Sequence, residues 1–221
     1  MAGLCGTALS EERREPKRRR EAAAASPPAP GAEAREEGQV QHVLAFGDSL
    51  TWGGCGSRPY PEQLEALLNG QCGGHTRYKV HNAGICGEST EEMVSRLPDE
   101  LASLEQDGVR PSFVLLLGGT NDLGHLAPKE ILANLAKMRA VAMRAQASCV
   151  ALTIPRTEDG LSPVARVVNR GLRREAAREG GPILADVSVV PEERLSDGVH
   201  FNSEGYAEFA RLVFEAMQPS L

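Results

Sequence analysis

The sequence predicts an α/β fold in which helices cover both faces of a central, mostly parallel five-stranded sheet, giving a three-layer α/β/α sandwich. Short apolar runs alternate along the chain with segments whose apolar residues recur at helical spacing. The run Ser112–Leu117 is almost wholly apolar, as expected for a strand that is buried on both faces of a parallel sheet. The regular alternation favours parallel pairing, because each helix then crosses over between two parallel strands.

The predicted strands are apolar runs bounded by turn residues, a pattern typical of buried strands. They cover Val43–Phe46, Arg77–His81, Ser112–Leu117, Cys149–Ile154 and Ile183–Val187. Gly47 follows the first strand, and its freedom of backbone angle lets the chain turn sharply as it leaves the sheet.

Each predicted helix carries apolar side chains on one face, and three helices also have a start signal. Pro61 and Pro163 suit the first turn of a helix, and Ser89 with Glu92 has the spacing of a capping box. The predicted apolar faces contain Leu64, Leu67 and Leu68; Met93 and Leu97; Ile131, Leu135, Met138 and Ala142; Val164, Val167, Val168 and Leu172; and Tyr206, Phe209, Ala210, Val213, Phe214 and Met217.

Residues 1–39 are predicted to form a disordered, charged and Ala/Pro-rich tail, and residues 40–221 a single domain. The tail has almost no large apolar side chains, so it cannot bury enough surface to offset the entropy of ordering it. Its basic cluster Lys17–Arg20 has two interpretations: a nuclear-localisation or anion-binding patch, or a solvated run of charges, which is the commoner case.

Composition excludes several classes of protein. A net charge of −6 and a pI near 5.5 argue against a nucleic-acid-binding domain, and no apolar run approaches the ~20 residues of a membrane-spanning helix. The five irregularly spaced cysteines favour reduced thiols and a cytoplasmic location. Cys72 and His75 resemble half of a metal site, but no second pair has ligand spacing, so we predict no metal.

Polar residues follow the predicted strands, and in a parallel sheet these loops share the carboxyl edge. The loops contain Ser49; Asn82, Gly84 and Gly87; Gly119, Thr120, Asn121 and Asp122; and Asp197, Gly198, Val199 and His200. Together they supply a hydroxyl, backbone amides, a carboxamide and an Asp/His pair, which are the groups that an acyl-transfer site needs. For Ser49 alone, the alternative is a turn whose serine merely caps the next helix.

These four segments resemble the ordered blocks of the SGNH (GDSL-type) hydrolase superfamily, named for its catalytic Ser, Gly, Asn and His. The order and approximate spacing agree from about Val43 to Met217. The resemblance implies a flavodoxin-like sandwich, an SGNH-type hydrolase domain at residues 40–221, and a small-molecule ester as substrate. Nothing in the sequence argues for a required cofactor, and the sequence leaves the oligomeric state open.

The resemblance also implies roles for individual residues. Ser49 would attack the ester carbonyl, His200 would accept the hydroxyl proton, and Asp197 would hold the imidazole in the useful tautomer. The Ser49 amide, a glycine amide and the Asn121 side chain would form the oxyanion hole. The resemblance places that glycine at Gly87, although Gly84 remains an alternative.

Two further residues, Asp48 and Asp122, are predicted to be structural. Their side chains would position the serine turn and the Asn121 loop through hydrogen bonds to the backbone.

The predicted function is hydrolysis of small or short-chain esters, including O-acetyl or aryl esters, through an acyl-serine intermediate. Trp52 and Gly84 are predicted to line a small substrate pocket, which Tyr60 and the loop 53–57 would help to shape unless both aromatic side chains pack against the fold. Two alternatives are an acyltransferase that moves the acyl group to an alcohol or sugar hydroxyl, and a non-catalytic binding module.

Overall fold

A computed structural model describes residues 39–53, 57–71 and 76–221 of the chain. The predicted tail therefore lies outside the described residues except for Gln39, and so do Lys17–Arg20, Cys72 and His75. In the described part of the chain, every helix is too short or too polar to cross a lipid bilayer.

Five strands form one sheet, and every neighbouring pair is parallel. The strands are β1 (Val40–Gly47), β2 (Arg77–Gly84), β3 (Pro111–Leu117), β4 (Ser148–Leu152) and β5 (Ile183–Ala185). Their order across the sheet is β2-β1-β3-β4-β5, the flavodoxin-like order. The direction of strand addition reverses beside β1, and ligands of such sheets bind in the crevice outside the carboxyl ends at that point.

Within the described ranges, six α-helices connect or follow the strands. They are α1 (Ser49–Trp52), α2 (Tyr60–Gln71), α3 (Thr90–Gln106), α4 (Pro128–Arg144), α5 (Pro163–Ala176) and α6 (Ser203–Met217). The predicted capping box begins α3: the Ser89 side chain accepts from the Glu92 amide, and the Glu92 side chain accepts from the Ser89 amide. The 3₁₀ turns Val187–Val189 and Glu192–Arg194 lead from β5 towards α6.

Two apolar clusters, one on each face of the sheet, establish the three layers. The first packs α2 and α6 against the sheet, with Leu64, Phe209 and Val213 fully buried. The second packs α3, α4 and α5 against the other face, with Met93 and Met138 fully buried. The predicted three-layer sandwich is thus confirmed, and the helical apolar stripes form its core.

The strand ends differ from the predictions for local reasons. The fourth strand was predicted to reach Ile154 but ends at Leu152, because the Asn169 side chain binds both the N–H and the C=O of Ile154 in place of a neighbouring strand. The fifth was predicted to reach Val187 but ends at Ala185. There the Asp186 carboxylate accepts from the Thr153 and Ser188 hydroxyls, and the chain turns into a 3₁₀ helix.

The prediction that Val167 belongs to the buried face of α5 is wrong. Val167 is 47% exposed, since the buried stripe of that helix follows Ala165, Val168 and Leu172. This stripe has the i, i+3, i+7 spacing of a single helical face, and Val167 lies beside it.

Candidate active site

Ser49 lies where β1 leaves the sheet. The sequence predicts only a turn here, whereas the structure has a four-residue helix whose first residue is Ser49. The Asp48 side chain caps this helix by accepting from the Leu50 amide at 3.0 Å, as predicted for a residue that positions the serine turn. The turn needs Gly47, because a Cβ there would lie 2.6 Å from the Leu117 carbonyl oxygen.

The structure brings the three predicted catalytic side chains into one hydrogen-bonded chain. His200 Nε2 lies 2.9 Å from Ser49 Oγ, although the residues are 151 positions apart in the sequence. On the other side of the ring, His200 Nδ1 lies 2.8 Å from Asp197 Oδ2. A proton on Nδ1 would make Nε2 the acceptor for the serine hydroxyl, which is the tautomer that proton abstraction requires.

The loop that presents Asp197 and His200 is held by the same carboxylate. Asp197 Oδ1 accepts from the backbone amides of Val199 at 3.1 Å and His200 at 2.8 Å. Gly198 lies between them with a φ of 86°, in the left-handed region that favours glycine. Phe201 follows directly and is fully buried, so the loop is anchored in the core beside the site.

The two candidate glycines of the second loop have different surroundings. The Gly84 amide donates to Asn82 Oδ1 at 3.0 Å, and a Cβ on Gly84 would lie 2.1 Å from the Trp52 backbone nitrogen. Gly84 therefore serves a close approach between β2 and α1. Gly87 lies in an exposed turn with a φ of 78°, the third residue of a turn closed by the Glu88 amide on the Ile85 carbonyl.

Asn121 follows β3 and reaches towards this second loop. Its Nδ2 donates one hydrogen to the Glu88 carbonyl at 2.9 Å, which fixes the orientation of the amide and leaves its second hydrogen for another acceptor. The neighbouring Asp122 is buried, and its carboxylate accepts from the Thr90 amide and hydroxyl. Asp122 thus ties the Asn121 loop to the start of α3, close to the structural role predicted for it.

A buried ion pair that the sequence did not single out supports these loops. Arg96 donates through Nε to Glu88 Oε1 at 2.6 Å and through Nη2 to the Ala83 carbonyl at 3.1 Å. Its guanidinium also lies 4.0 Å from the centre of the Phe46 ring. In the sequence Arg96 looks like an ordinary helix charge and Glu88 like a loop charge, and their spacing of eight residues gives no signal of a pair.

The two aromatic residues predicted to shape a pocket lie in different environments. Tyr60 is fully buried and stacks on Phe209 with ring centres 4.5 Å apart, so it belongs to the core. Trp52 is 53% exposed at the end of α1, three residues after Ser49. Of the two, only Trp52 is available to contact a ligand. Gly53 and Ser57 are described, but residues 54–56 between them lie outside the described residues.

Asp48 is a fully buried carboxyl group directly before the serine. Its Oδ2 has no hydrogen-bond partner among the described residues, and burial raises the pKa of Asp48 to about 7. The Leu50 amide and the nearby His200 oppose this rise, while Asp122 and Glu88 add to it. The folded chain therefore holds a proton on this carboxyl at pH values where an ordinary aspartate is ionised.

We expect Asp48→Asn to remove a pH-dependent destabilisation. Because the pKa of Asp48 is 3.8 when unperturbed and about 7 in the fold, the folded chain binds a proton that the unfolded chain lacks between these values. Stability contributed by this group is therefore lost as pH rises from about 4 to about 7. The free energy of unfolding of Asp48→Asn should rise relative to wild type by roughly 4 kcal/mol over that range, since each tenfold change in proton affinity is worth ~1.4 kcal/mol.

Urea unfolding of both proteins at pH 4.5, 6 and 8 measures this difference. The comparison across pH cancels the constant cost of burying the new amide. If the free energies of unfolding of the two proteins changed equally with pH, the raised pKa of Asp48 would be contradicted.

The arrangement joins a hydroxyl, an imidazole and a carboxylate, which are the groups that serine-based acyl transfer uses. Within residues 39–53, 57–71 and 76–221, no group of three or more His, Cys, Asp or Glu side chains is placed to hold a metal ion.

Comparison with known proteins gives one family. The model of the GDSL-like lipase/acylhydrolase family matches residues 45–208. This range contains Ser49, Gly87, Asn121, Asp197 and His200. No curated protein sequence matches this chain significantly.

Several solved structures share the fold. The lipase/acylhydrolase from Enterococcus faecalis is 19% identical with a TM-score of 0.66, and the match covers 82% of this chain and 97% of that one. TesA is 27% identical with a TM-score of 0.64, covering 82% of this chain and 100% of that one. Est24, a carbohydrate acetylesterase from Sinorhizobium meliloti, is 17% identical with a TM-score of 0.65, with the same coverage of 82% and 100%.

Proposed function

Because the chain belongs to the GDSL-like lipase/acylhydrolase family, we propose that it hydrolyses small or short-chain carboxylic esters through an acyl-serine intermediate. The observation that carries the proposal is the His200 ring, which lies 2.9 Å from the Ser49 hydroxyl and 2.8 Å from the Asp197 carboxylate. A nucleophile bound to a base that is itself oriented by a third group is the arrangement of serine catalysis.

In the acylation half of the proposed reaction, Ser49 Oγ attacks the ester carbonyl carbon while its proton passes to His200 Nε2. The Asp197 carboxylate stabilises the imidazolium that forms and keeps the remaining proton on Nδ1. The tetrahedral intermediate then expels the alcohol, which takes the proton from Nε2 as it leaves. The acyl group remains on Ser49 Oγ, and the imidazole is again neutral.

The oxyanion of the intermediate would be held by three donors. Ser49 is the first residue of α1, so its backbone N–H has no acceptor within the helix. The second donor is the Asn121 amide, whose orientation the Glu88 carbonyl fixes. For the third we propose Gly87, since the Gly84 amide already donates to Asn82. Preorganised donors of this kind are each worth ~10²–10³ in kcat.

In the deacylation half, a water molecule would take the place of the alcohol. His200 Nε2 accepts a proton from the water as its oxygen attacks the acyl carbon, and the proton returns to Ser49 Oγ when the carboxylic acid leaves. Asp197 is 39% exposed and His200 is 22% exposed, so solvent reaches the base directly.

The preference for short acyl chains is supported by the surroundings of Ser49. Helices α2 to α6 contribute their buried apolar side chains to the two clusters that cover the faces of the sheet. With Tyr60 in the core, exposed Trp52 is the aromatic side chain of α1 next to the site. Long acyl chains would find little apolar surface to bury there.

We expect kcat/KM to be highest for acetyl or butyryl p-nitrophenyl esters and at least about tenfold lower for the palmitoyl ester, because buried apolar area sets acyl preference. Initial rates across the series measure this, with a detergent control so that micelles do not hide the longest ester. A palmitoyl optimum would contradict the short-chain proposal.

The acceptor of the acyl group can be read from the same reaction. Adding an alcohol or sugar acceptor and analysing the products separates hydrolysis from acyl transfer: a new ester as the main product would make the chain an acyltransferase. Failure of a fluorophosphonate to label folded protein would favour a non-catalytic binding module instead.

The proposal includes a cytosolic location, supported by the free thiols of Cys86 and Cys149 in the described part of the chain.

A further inference from the structure

A second cleft lies away from the serine, between α4 and α5 and against β3 and β4. Its volume is about 210 Å³. The inner walls are apolar and include Leu116, Leu135, Cys149, Ala151, Leu152 and Leu172. Burial raises the pKa of the Cys149 thiol to about 12, so this side chain is neutral and adds to the apolar wall. Ser49, Gly87, Asn121 and His200 do not line the cleft.

The rim of this cleft carries an excess of positive charge. Arg139, Arg174 and Arg178 line it together with a single carboxylate, Glu175, which leaves three cations against one anion. Glu175 is shared, with Oε2 3.3 Å from Arg139 and Oε1 2.8 Å from Arg178. Arg174 is exposed, and in the described part of the chain it has no ion-pair partner.

One wall of the cleft is shaped by a glycine within a helix. Gly171 lies inside α5, where glycine costs about 1 kcal/mol relative to alanine. A Cβ at this position would lie 2.6 Å from Leu132 Cδ1, so the glycine lets the Leu132 side chain pack directly against α5. Because Leu132 also lines the cleft, a side chain at residue 171 would displace part of the cleft wall.

We propose that this cleft binds a short- or medium-chain aliphatic monocarboxylate, with the alkyl chain among the leucines and the carboxylate beside Arg174. An apolar interior selects an alkyl chain, and the two uncompensated arginine charges at the rim select an anion over a neutral or cationic head group. Because the cleft is smaller than the ~300 Å³ of pockets for drug-sized ligands, it excludes bulky or polycyclic molecules. The site is separate from Ser49 and does not depend on the proposed esterase activity.

Octanoate is the probe for this site, and leucine methyl NMR of the full chain is the measurement. We expect saturating shifts of the Leu132, Leu135 and Leu172 methyl signals with octanoate and none with octylammonium. The reporters lie in or beside the cleft, so binding at the serine would not mimic the result. Unshifted methyl signals up to the solubility limit, or an equal response to octylammonium, would overturn the proposal.

Variants test the two halves of the site. Arg174→Gln should weaken octanoate binding by about threefold, the value of one exposed charge pair, while the matched control Arg170→Gln, one turn earlier on α5 and outside the cleft, should leave it unchanged. Gly171→Leu should displace the Leu132 side chain from the cleft wall and abolish the shifts of the Leu135 and Leu172 signals. If this variant fails to fold, the two arginine variants still test the proposal. Equal octanoate affinities of Arg174→Gln and Arg170→Gln would overturn the placement of the carboxylate beside Arg174.

Discussion

Replacing Ser49 with alanine is expected to lower kcat for p-nitrophenyl esters by about 10⁴-fold to 10⁶-fold, while the protein stays folded. The substitution removes the hydroxyl that lies 2.9 Å from His200 Nε2 and that is the proposed nucleophile. It leaves the proposed oxyanion donors in place, so a residual rate above that of water should remain. Ser49 is only 9% exposed, but losing one hydroxyl at a helix start creates almost no cavity.

Steady-state rates and thermal unfolding of the purified proteins measure both parts of this expectation. Ser95→Ala is a matched control, because Ser95 is an exposed serine on α3 whose hydroxyl donates to the Glu91 carbonyl and does not contact Ser49 or His200, so its activity should equal that of wild type. Equal rates of Ser49→Ala and wild type would show that another group is the nucleophile for these esters. A phosphonate label carried by the wild type and lost in Ser49→Ala identifies the same oxygen independently of turnover.

Replacing Asp197 with asparagine is expected to lower kcat by about 10³-fold to 10⁴-fold. The amide oxygen can still accept from the backbone amides of Val199 and His200, so the loop should keep its shape. The amide nitrogen would instead face His200 Nδ1 as a donor. Because two donors cannot share this bond, the ring would carry its proton on Nε2 and could not accept the Ser49 proton.

The distinction between kcat and KM separates this role from a structural one. A tautomer effect lowers kcat and leaves KM nearly unchanged, because substrate contacts stay in place. Asp99→Asn, an exposed aspartate on α3, serves as the control. A rate of Asp197→Asn within about threefold of wild type would rule out the orienting role, and a raised KM with unchanged kcat would assign Asp197 to substrate binding.

Local and periodic signals account for the parts of the fold that the sequence predicts well. The capping box at Ser89 acts within one turn of helix, and the helical stripes report burial directly. The sequence cannot show where Leu152 ends its strand, since that depends on Asn169, a side chain from the next helix. The short helix at Ser49 was missed because four residues are too few to show a period.

In the candidate site, too, residues within local motifs are predictable from the sequence, whereas contacts that depend on the folded backbone are not. Ser49, Asp197 and His200 stand out because each is a reactive side chain within a short motif, and the structure joins them. The choice between Gly84 and Gly87 needs the partner of each amide, which only the folded backbone provides. The pairing of Arg96 with Glu88 is likewise invisible, since Glu88 lies in the loop before α3 and Arg96 lies on the helix, and a charge in either place is usually solvated.

The separation of 151 residues in sequence between Ser49 and His200 also determines how long the growing chain contains the serine before the histidine is synthesised. During synthesis at ~5–20 residues per second, His200 is added roughly 8 to 30 seconds after Ser49. Through this interval the nascent chain contains the serine of the proposed triad without its base. The Asn202 side chain caps α6 only two residues beyond His200, so the base is synthesised immediately before this helix, which runs to Met217. We expect the emerging enzyme to be chemically silent until the segment that contains His200 has left the ribosome.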